Sequence, residues 1–390
     1  MDQRTREQVA GAAAERLLAA RDLPPAVVGF DGFIDVIIDS VEMRRDMTPA
    51  GYERFRTISA FASRCAAAAG KSTNIERVIR ERRFGGNGPL MASAMARLGV
   101  PVTYIGAVGE PENGGWRIHP VFRGFAGTCA RVIPVGEPSE TQCLEFDDGK
   151  IMLNETGVVQ AVTWERIVAT VGMEELRTLF EPAAAIGVVN WSLLGGVPGI
   201  WRGLMRDILP VLSRRPRRVF IDLSDPAKRT DEDVAGGMAL LGELEQAGFL
   251  VCLGVNLSEA LRIERVLGGG ALAGAGEDAD GSIVMRGAAS IRERMGIDAV
   301  QVHLRHGAGA ADRAGAAWFD GPFTRTPRLS TGAGDHCNGG FAVGRTLGMP
   351  LAESLALGCA TSGAYVRDAE SPDRARLAAF LRALPPPERV

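Results

Sequence analysis

The stretch R-L-S-T-G-A-G-D-H-C-N-G-G-F, Arg328 to Phe341, holds a single acidic side chain, Asp335. Four small residues, Thr331-Gly332-Ala333-Gly334, stand before it, and a helix-like run of small residues stands after it. Glycines at such a turn let successive backbone N–H groups from Gly332, Ala333 and Gly334 point into one concavity. A helix opening near His336 adds its positive end to the same point. That pocket suits a phosphate, and more so the charge that develops as a phosphoryl group moves. A carboxylate beside an anion hole is a poor phosphate ligand but a sensible base, able to take the proton of an attacking hydroxyl. The plainer role is a helix cap, which Asp often fills. A cap alone accounts neither for T-G-A-G in front nor for N-G-G-F-A-V-G behind.

Outward from this turn the chain alternates strands and helices. A-V-V-G-F-D-G-F-I-D-V-I-I-D (Ala26 to Asp39) starts as a strand, turns at Gly32 and resumes apolar. P-L-M-A-S-A-M-A-R-L-G reads as a helix stopped by Gly99, and V-T-Y-I-G-A-V-G as a buried strand. Further strands are expected in A-A-I-G-V-V-N, R-R-V-F-I-D, F-L-V-C-L-G-V-N, A-V-Q-V-H-L-R-H and G-A-A-W-F-D, with helices between them and two more at the C-terminus. Such alternation predicts a three-layer α/β/α domain around a mostly parallel sheet. Between Thr128 and Val159 the pattern changes to short β-like pieces, C-A-R-V-I-P-V, T-Q-C-L-E-F-D and K-I-M-L-N-E, with D-D-G-K as a hairpin signal. This predicts a small sheet acting as a lid, with 72–84 a further candidate for it. Residues 1–25 read as an amphipathic helix ended by Pro24-Pro25, and 26–390 as the main domain.

Composition narrows the function classes. The 390 residues are 46% hydrophobic and 23% charged, with a formal net charge of −3. No basic footprint for nucleic acid or an anionic membrane is present, and aromatics at 6% argue against base-stacking surfaces. Apolar runs fall short of a membrane span, and charges interrupt any signal-like core at the N-terminus, so a cytoplasmic protein is expected. Six cysteines without a C-x-x-C pair read as free thiols, and four histidines show no metal-ligand spacing. Gly70-Lys71-Ser72 imitates the end of a Walker A loop, but Cys65 stands where its first glycine belongs and a helix-like run precedes it. We read it as a flexible loop.

Taken together, S-T-G-A-G-D-H-C-N-G-G-F-A-V-G-R-T-L-G, G-G-N-G-P-L-M-A-S-A-M-A-R-L-G (Gly85 to Gly99), V-V-G-F-D-G-F-I-D and N-L-S-E (Asn256 to Glu259) resemble, in order, the signatures of ribokinase-like, PfkB-type carbohydrate kinases. The resemblance spans about Val27 to Val366. It implies phosphoryl transfer from ATP, with Mg²⁺, to a hydroxyl of a sugar-like small molecule, and leaves a monovalent cation open. Asp335 resembles the catalytic base, with Gly332, Ala333 and Gly334 as the anion hole. Asp35, with Asp31 as its rival, resembles the hydroxyl-binding acid, and Gly86 and Asn87 the backbone and amide contacts to substrate. Asn256 and Glu259 resemble the pair that organises Mg²⁺ through water, although a capping pair at a helix start explains them equally. Asn190, Thr331 and Arg305 are placed toward the nucleotide; Asn190 suits a turn equally well. Two departures stand out: Leu90 replaces an expected Asn, and H-L-R-H-G replaces a Thr- and Gly-containing nucleotide segment, where Arg305 or His306 would act instead. Lys228 and Arg229 read as surface charge. The exposed edges of a small lid sheet predict a homodimer through the lid, with Asp35 lying under that sheet. A nucleoside kinase and a non-catalytic sugar-binding relative remain as alternatives. A Rossmann dehydrogenase is disfavoured because no G-x-G-x-x-G follows the first strand.

Overall fold

The computed structural model describes residues 1–387. Nine strands form the main sheet in the order Gly315–Asp320, Gly307–Asp312, Ala299–His303, Leu250–Asn256, Arg218–Asp222, Ala185–Val189, Ala26–Phe30, Val102–Gly106, Arg131–Pro134. Only Gly307–Asp312 runs against the others, pairing antiparallel with both its neighbours, and the remaining pairs are parallel, as expected when helical crossovers return the chain to the same end of the sheet. Residues alternate between the two faces. Val219, Ile221, Val251, Leu253 and Val255 join one core, while Phe220, Cys252 and Ala299 join the other.

The two faces are covered differently. The helices Trp164–Val171, Asp231–Ala247, Leu257–Val266 and Gly281–Met295 pack on the first. The second carries Gln3–Ala19, Asn87–Arg97, Ala333–Thr346, Leu351–Asp368 and Arg374–Arg382. The N-terminal helix is therefore part of the domain, laid along the C-terminal helices. Helix Ala333–Thr346 sits close to its neighbours because it is built of small residues. A Cβ at Gly340 would lie 2.4 Å from Thr361 Oγ1 on the adjoining helix, so no larger residue fits that crossing.

The lid is a five-stranded sheet ordered Gly149–Asn154, Ser139–Phe146, Phe33–Arg44, Tyr52–Arg54, with Arg77–Gly85 also paired to Phe33–Arg44. Two expectations are corrected here. C-A-R-V-I-P-V belongs to the edge of the main sheet, where Arg131–Pro134 pairs with Val102–Gly106, and not to the lid. Its neighbour on the main sheet, Val102–Gly106, is largely buried, and the four residues extend that ladder in parallel register. The lid's central strand is Phe33–Arg44, the continuation of the first strand past the Gly32 turn. Asp35 lies on that strand, so it is part of the lid rather than beneath it. The expected strand at 72–84 is present as Arg77–Gly85.

Gly70-Lys71-Ser72 follows the short helix Ile58–Ala66 in an exposed turn, with no strand before it. The geometry of a Walker A loop is absent there.

Candidate active site

The helix that carries Asp335 begins earlier than expected, at Ala333 rather than near His336. Its N-cap is Gly332, whose φ of +86° is a left-handed conformation that favours glycine. The turn leaves N–H groups unspent. Ala333 N–H donates to Ser330 O at 3.3 Å, whereas among the described residues nothing accepts from Gly332 or Gly334. Two of the three anticipated donors are thus free at a helix N-terminus.

Asp335 falls in the first turn and caps nothing, because the cap position is Gly332 and has no side-chain bond. The cap reading is overturned. The Asp335 carboxylate is buried and accepts a hydrogen bond from Asn87 Nδ2 at 2.8 Å. Burial, then the neighbouring charges of Asp222 and Asp31, push its pKa well above the ordinary carboxylate range. A group so placed holds a proton more tightly than a surface carboxylate does, which is what a base accepting one from a hydroxyl needs.

Asp31 and Asp35, two rivals by sequence, take different places. Asp31 is fully buried and its oxygens are occupied. Asn87 N–H donates to it at 3.0 Å, Gly88 N–H at 2.8 Å and Asn190 Nδ2 at 2.7 Å, while Tyr104 O–H donates to the Asp31 carbonyl at 2.5 Å. Those bonds fix the Gly86-Asn87 turn, and through the Asn87 amide they reach Asp335. Asp31 therefore positions the turn whose Asn87 amide holds Asp335. Asn190, expected near nucleotide phosphate, is committed to Asp31 by the same bond. Its backbone has φ +64°, a turn conformation Asn tolerates, at the end of the strand Ala185–Val189.

Among the described residues nothing donates to the Asp35 carboxylate, which lines a cleft of about 640 Å³. Desolvation raises its pKa to about 6, against the pull of Arg83 and Lys150. Strand register explains this company: Asp35 pairs with Arg83, and Lys150 with Glu145, all on the lid face that looks into the cleft. Across from them stand Leu90, Thr331 and Tyr365, whose hydroxyl donates to Thr331 O at 2.8 Å. Leu90, where an Asn was expected, supplies an apolar patch to that wall.

A second cavity of about 530 Å³ opens on the other side of the T-G-A-G turn. Asn256, His303, Arg305, Phe323, Ala333 and Gly334 line it. Burial pushes His303 down to about 4, so its imidazole is neutral there. The Arg305 guanidinium lies over Phe323, 5.2 Å from the ring centroid. His306, the alternative to Arg305, points away and faces Trp318 at 5.5 Å. Pro327 and Ser330 line both cavities, so the two meet at this turn.

Asn256 and Glu259 form a reciprocal capping box at the start of helix Leu257–Val266, each bond 2.9 Å. Their capping role is thus realised. Glu259 also carries more than a cap requires. It is buried, and after desolvation the charges of Asp222, Asp225 and Asp335 push its pKa well up. Lys228 and Arg229 lie elsewhere, around a shallow depression, with Arg229 stacked 4.8 Å over Trp191.

Two adjoining cavities, a buried carboxylate and free N–H donors at their junction are the layout of a phosphotransferase. The family model for prokaryotic ketohexokinase matches residues 1–383. The chain belongs to the prokaryotic ketohexokinase family. A curated ketohexokinase of Haloferax volcanii is 32% identical over 354 residues, covering 90% of this chain and 89% of its own. Solved structures share the fold: a probable sugar kinase of Rhizobium etli has a TM-score of 0.62 at 16% identity, covering 93% of this chain and 99% of its own. A ribokinase of Cryptococcus neoformans, crystallised with ADP, has a TM-score of 0.61 at 16% identity, covering 92% and 99%. This member of the prokaryotic ketohexokinase family is a carbohydrate kinase with the ribokinase-type fold. Arg83, Lys150 and Tyr365 entered the site without having been singled out by sequence. Lys150 stands in D-D-G-K, where the hairpin signal masked the one residue of the turn that faces the cleft.

Proposed function

We propose that the protein transfers the γ-phosphoryl group of ATP to a primary hydroxyl of a ketohexose. The observation that carries this is the meeting of two cavities at Ser330–Asp335, one walled by the polar lid and the other by Phe323 and the T-G-A-G backbone. Relatives named ketohexokinase, and a structural neighbour holding ADP, support the assignment of sugar to the first and nucleotide to the second. In this reading Asp335 takes the hydroxyl proton as the oxygen attacks phosphorus, and the Gly332 and Gly334 N–H groups receive the developing charge. Asp35 accepts from two sugar hydroxyls, and the lid excludes water so that ATP is not lost to hydrolysis. The charged lid side chains Asp35, Arg83 and Lys150 suit the hydroxyls of a sugar.

The charge balance suits a divalent cation held through water: Asp222 and Asp225 press on Glu259, and no Lys or Arg pairs with any of the three among the described residues, although the acids do not converge into a ready-made ligand cluster. Glu259 would hold Mg²⁺ through water, which suits an ion that retains its hydration shell. When bound, Mg²⁺ neutralises charge on the nucleotide phosphates.

An ADP-release screen over ketohexoses, aldohexoses, pentoses and nucleosides tests the reading. The highest kcat/KM is expected for a ketohexose; a nucleoside at the top would overturn it. Asp35→Ala should raise the KM for the sugar by about 10-fold or more, the loss of one or two charge-assisted hydrogen bonds, and leave the KM for ATP within about 3-fold. An unchanged sugar KM would remove Asp35 from the site.

We further propose a homodimer through the lid. Met43, Ile79 and Leu153 are each about half exposed on lid strands, and Met47 is 87% exposed beside them. Sedimentation equilibrium should give twice the chain mass, and Ile79→Asp with Leu153→Asp should reduce it to one. A wild-type monomer at micromolar concentration would rule the dimer out.

A further inference from the structure

Lys150 begins the lid strand Gly149–Asn154 and reaches across the cleft. Its ammonium donates to Ser330 Oγ at 3.3 Å and, more closely, to Thr331 Oγ1, the two residues just before the Gly332 turn. It ties a lid strand to the two residues that precede the Gly332 turn. Both partners are neutral hydroxyls, and no carboxylate lies within ion-pair distance of Lys150 among the described residues. Arg83, beside it on the lid face, likewise forms no ion pair among the described residues, and Asp35 and Glu145 are the carboxylates that share this wall with the two cations. A partly buried ammonium whose direct partners are hydroxyls gives up hydration, and burial lowers its pKa against the pull of Glu145 and Asp35. An arrangement of that kind is relieved when an anion enters.

We propose that the Lys150 ammonium contacts the phosphoryl group during its transfer, acting as a cation that the lid delivers to the anion hole; this rests on the reading of the site as a ketohexose kinase. In the step, the sugar oxygen forms the new O–P bond and the bond from phosphorus to the nucleotide diphosphate oxygen breaks. The hydroxyl proton passes to Asp335. Lys150 keeps its proton throughout and supplies charge alone. A flexible ammonium on a four-carbon stem can follow the phosphoryl group from donor to acceptor, whereas backbone N–H groups are fixed. The sugar is then met by Asp35 and its phosphorylated form by Lys150, from the same sheet.

The competing role is a mechanical latch, in which Lys150 only clips the lid to the Ser330-Thr331 hydroxyls. Lys150→Gln separates the two, because an amide keeps a hydrogen bond to the hydroxyls and loses the charge. Turnover is measured with D-fructose and ATP for wild type, Lys150→Gln, Lys150→Met and Lys150→Arg. Calorimetry then gives the affinities for D-fructose and for D-fructose 1-phosphate. Both neutral variants should lose about 10²-fold in kcat with the sugar KM within about 3-fold, as for removal of one charge-stabilising group. They should bind fructose 1-phosphate about 10-fold more weakly and fructose unchanged, and Lys150→Arg should recover most of the lost kcat. Near-wild-type kcat in Lys150→Gln, or equal weakening of sugar and sugar phosphate, would overturn the proposal. Failure of the wild type to phosphorylate any ketohexose would instead tell against the reading of the site.

Discussion

Asp335→Asn is expected to lower kcat by about 10²-fold or more, about 3 kcal/mol of lost transition-state stabilisation, with nucleotide affinity and folding preserved. The geometry makes this substitution a clean one. The Asn oxygen can still accept from Asn87 Nδ2, which lies 2.8 Å from Asp335 Oδ1, so the first turn keeps its tie to the Gly86-Asn87 turn. Only the ability to take a proton is lost. Near-normal turnover would reduce Asp335 to a structural residue.

A pH profile sharpens the test. The pKa of Asp335 is raised, chiefly by burial, so the carboxylate becomes protonated, and useless as a base, at a pH above the ordinary carboxylate range. Activity of the wild type should therefore fall as pH is lowered, with its midpoint displaced upward relative to a surface Asp. In Asp335→Asn the residual rate should lack that limb. Asp31→Asn offers an intermediate case. It would weaken the bonds from the Asn87 and Gly88 N–H groups and remove one of the charges that lifts Asp335.

Much of this site was legible because its elements are local in sequence. T-G-A-G-D brings N–H donors and a carboxylate together within five residues, and N-L-S-E brings together the two members of a capping box. What alternation could not reveal was the partition of strands between sheets. C-A-R-V-I-P-V and T-Q-C-L-E-F-D have the same period, yet the first extends the main sheet and the second pairs with Phe33–Arg44. Register over long separations decides that, and no local pattern records it. The strand Gly307–Asp312 escaped for a different reason. Its G-A-G-A-A lacks the β-branched residues that mark strands, because helix Gly281–Met295 lies directly on it: a Cβ at Gly309 would stand 2.9 Å from Val284 Cγ1. Asp31 and Asp35 look alike in sequence and differ only in what the fold brings to them. One meets two backbone N–H groups and the Asn190 amide, and the other an open cleft.

Gly334→Val should abolish measurable activity, whereas Lys71→Ala should leave the KM for ATP within about 3-fold. The two substitutions ask which glycine-rich stretch receives phosphate. At Gly334 even a Cβ would stand 3.1 Å from His303 Cε1 and 3.3 Å from Nε2, and the two methyl groups of Val extend beyond it into the cavity that Gly334 lines. His303 ends a central strand and has little room to yield. The Val side chain would then cover the N–H donors and push the first helical turn, with Asp335 one residue on, out of register with Asn87. Displacements of about 1 Å at such a site cost about 10²-fold, and the loss of an anion-hole donor adds about 10²–10³-fold. Lys71 is exposed in its turn and lines neither cavity, so its charge is screened by solvent before it reaches the nucleotide. Circular dichroism and thermal melting of Gly334→Val would show whether the chain remains folded, and equilibrium binding of ADP whether the donor side is closed. The reverse outcome, with ATP binding lost in Lys71→Ala and retained in Gly334→Val, would move the phosphate site to residues 70–72 and undo the assignment of Asp335 along with it.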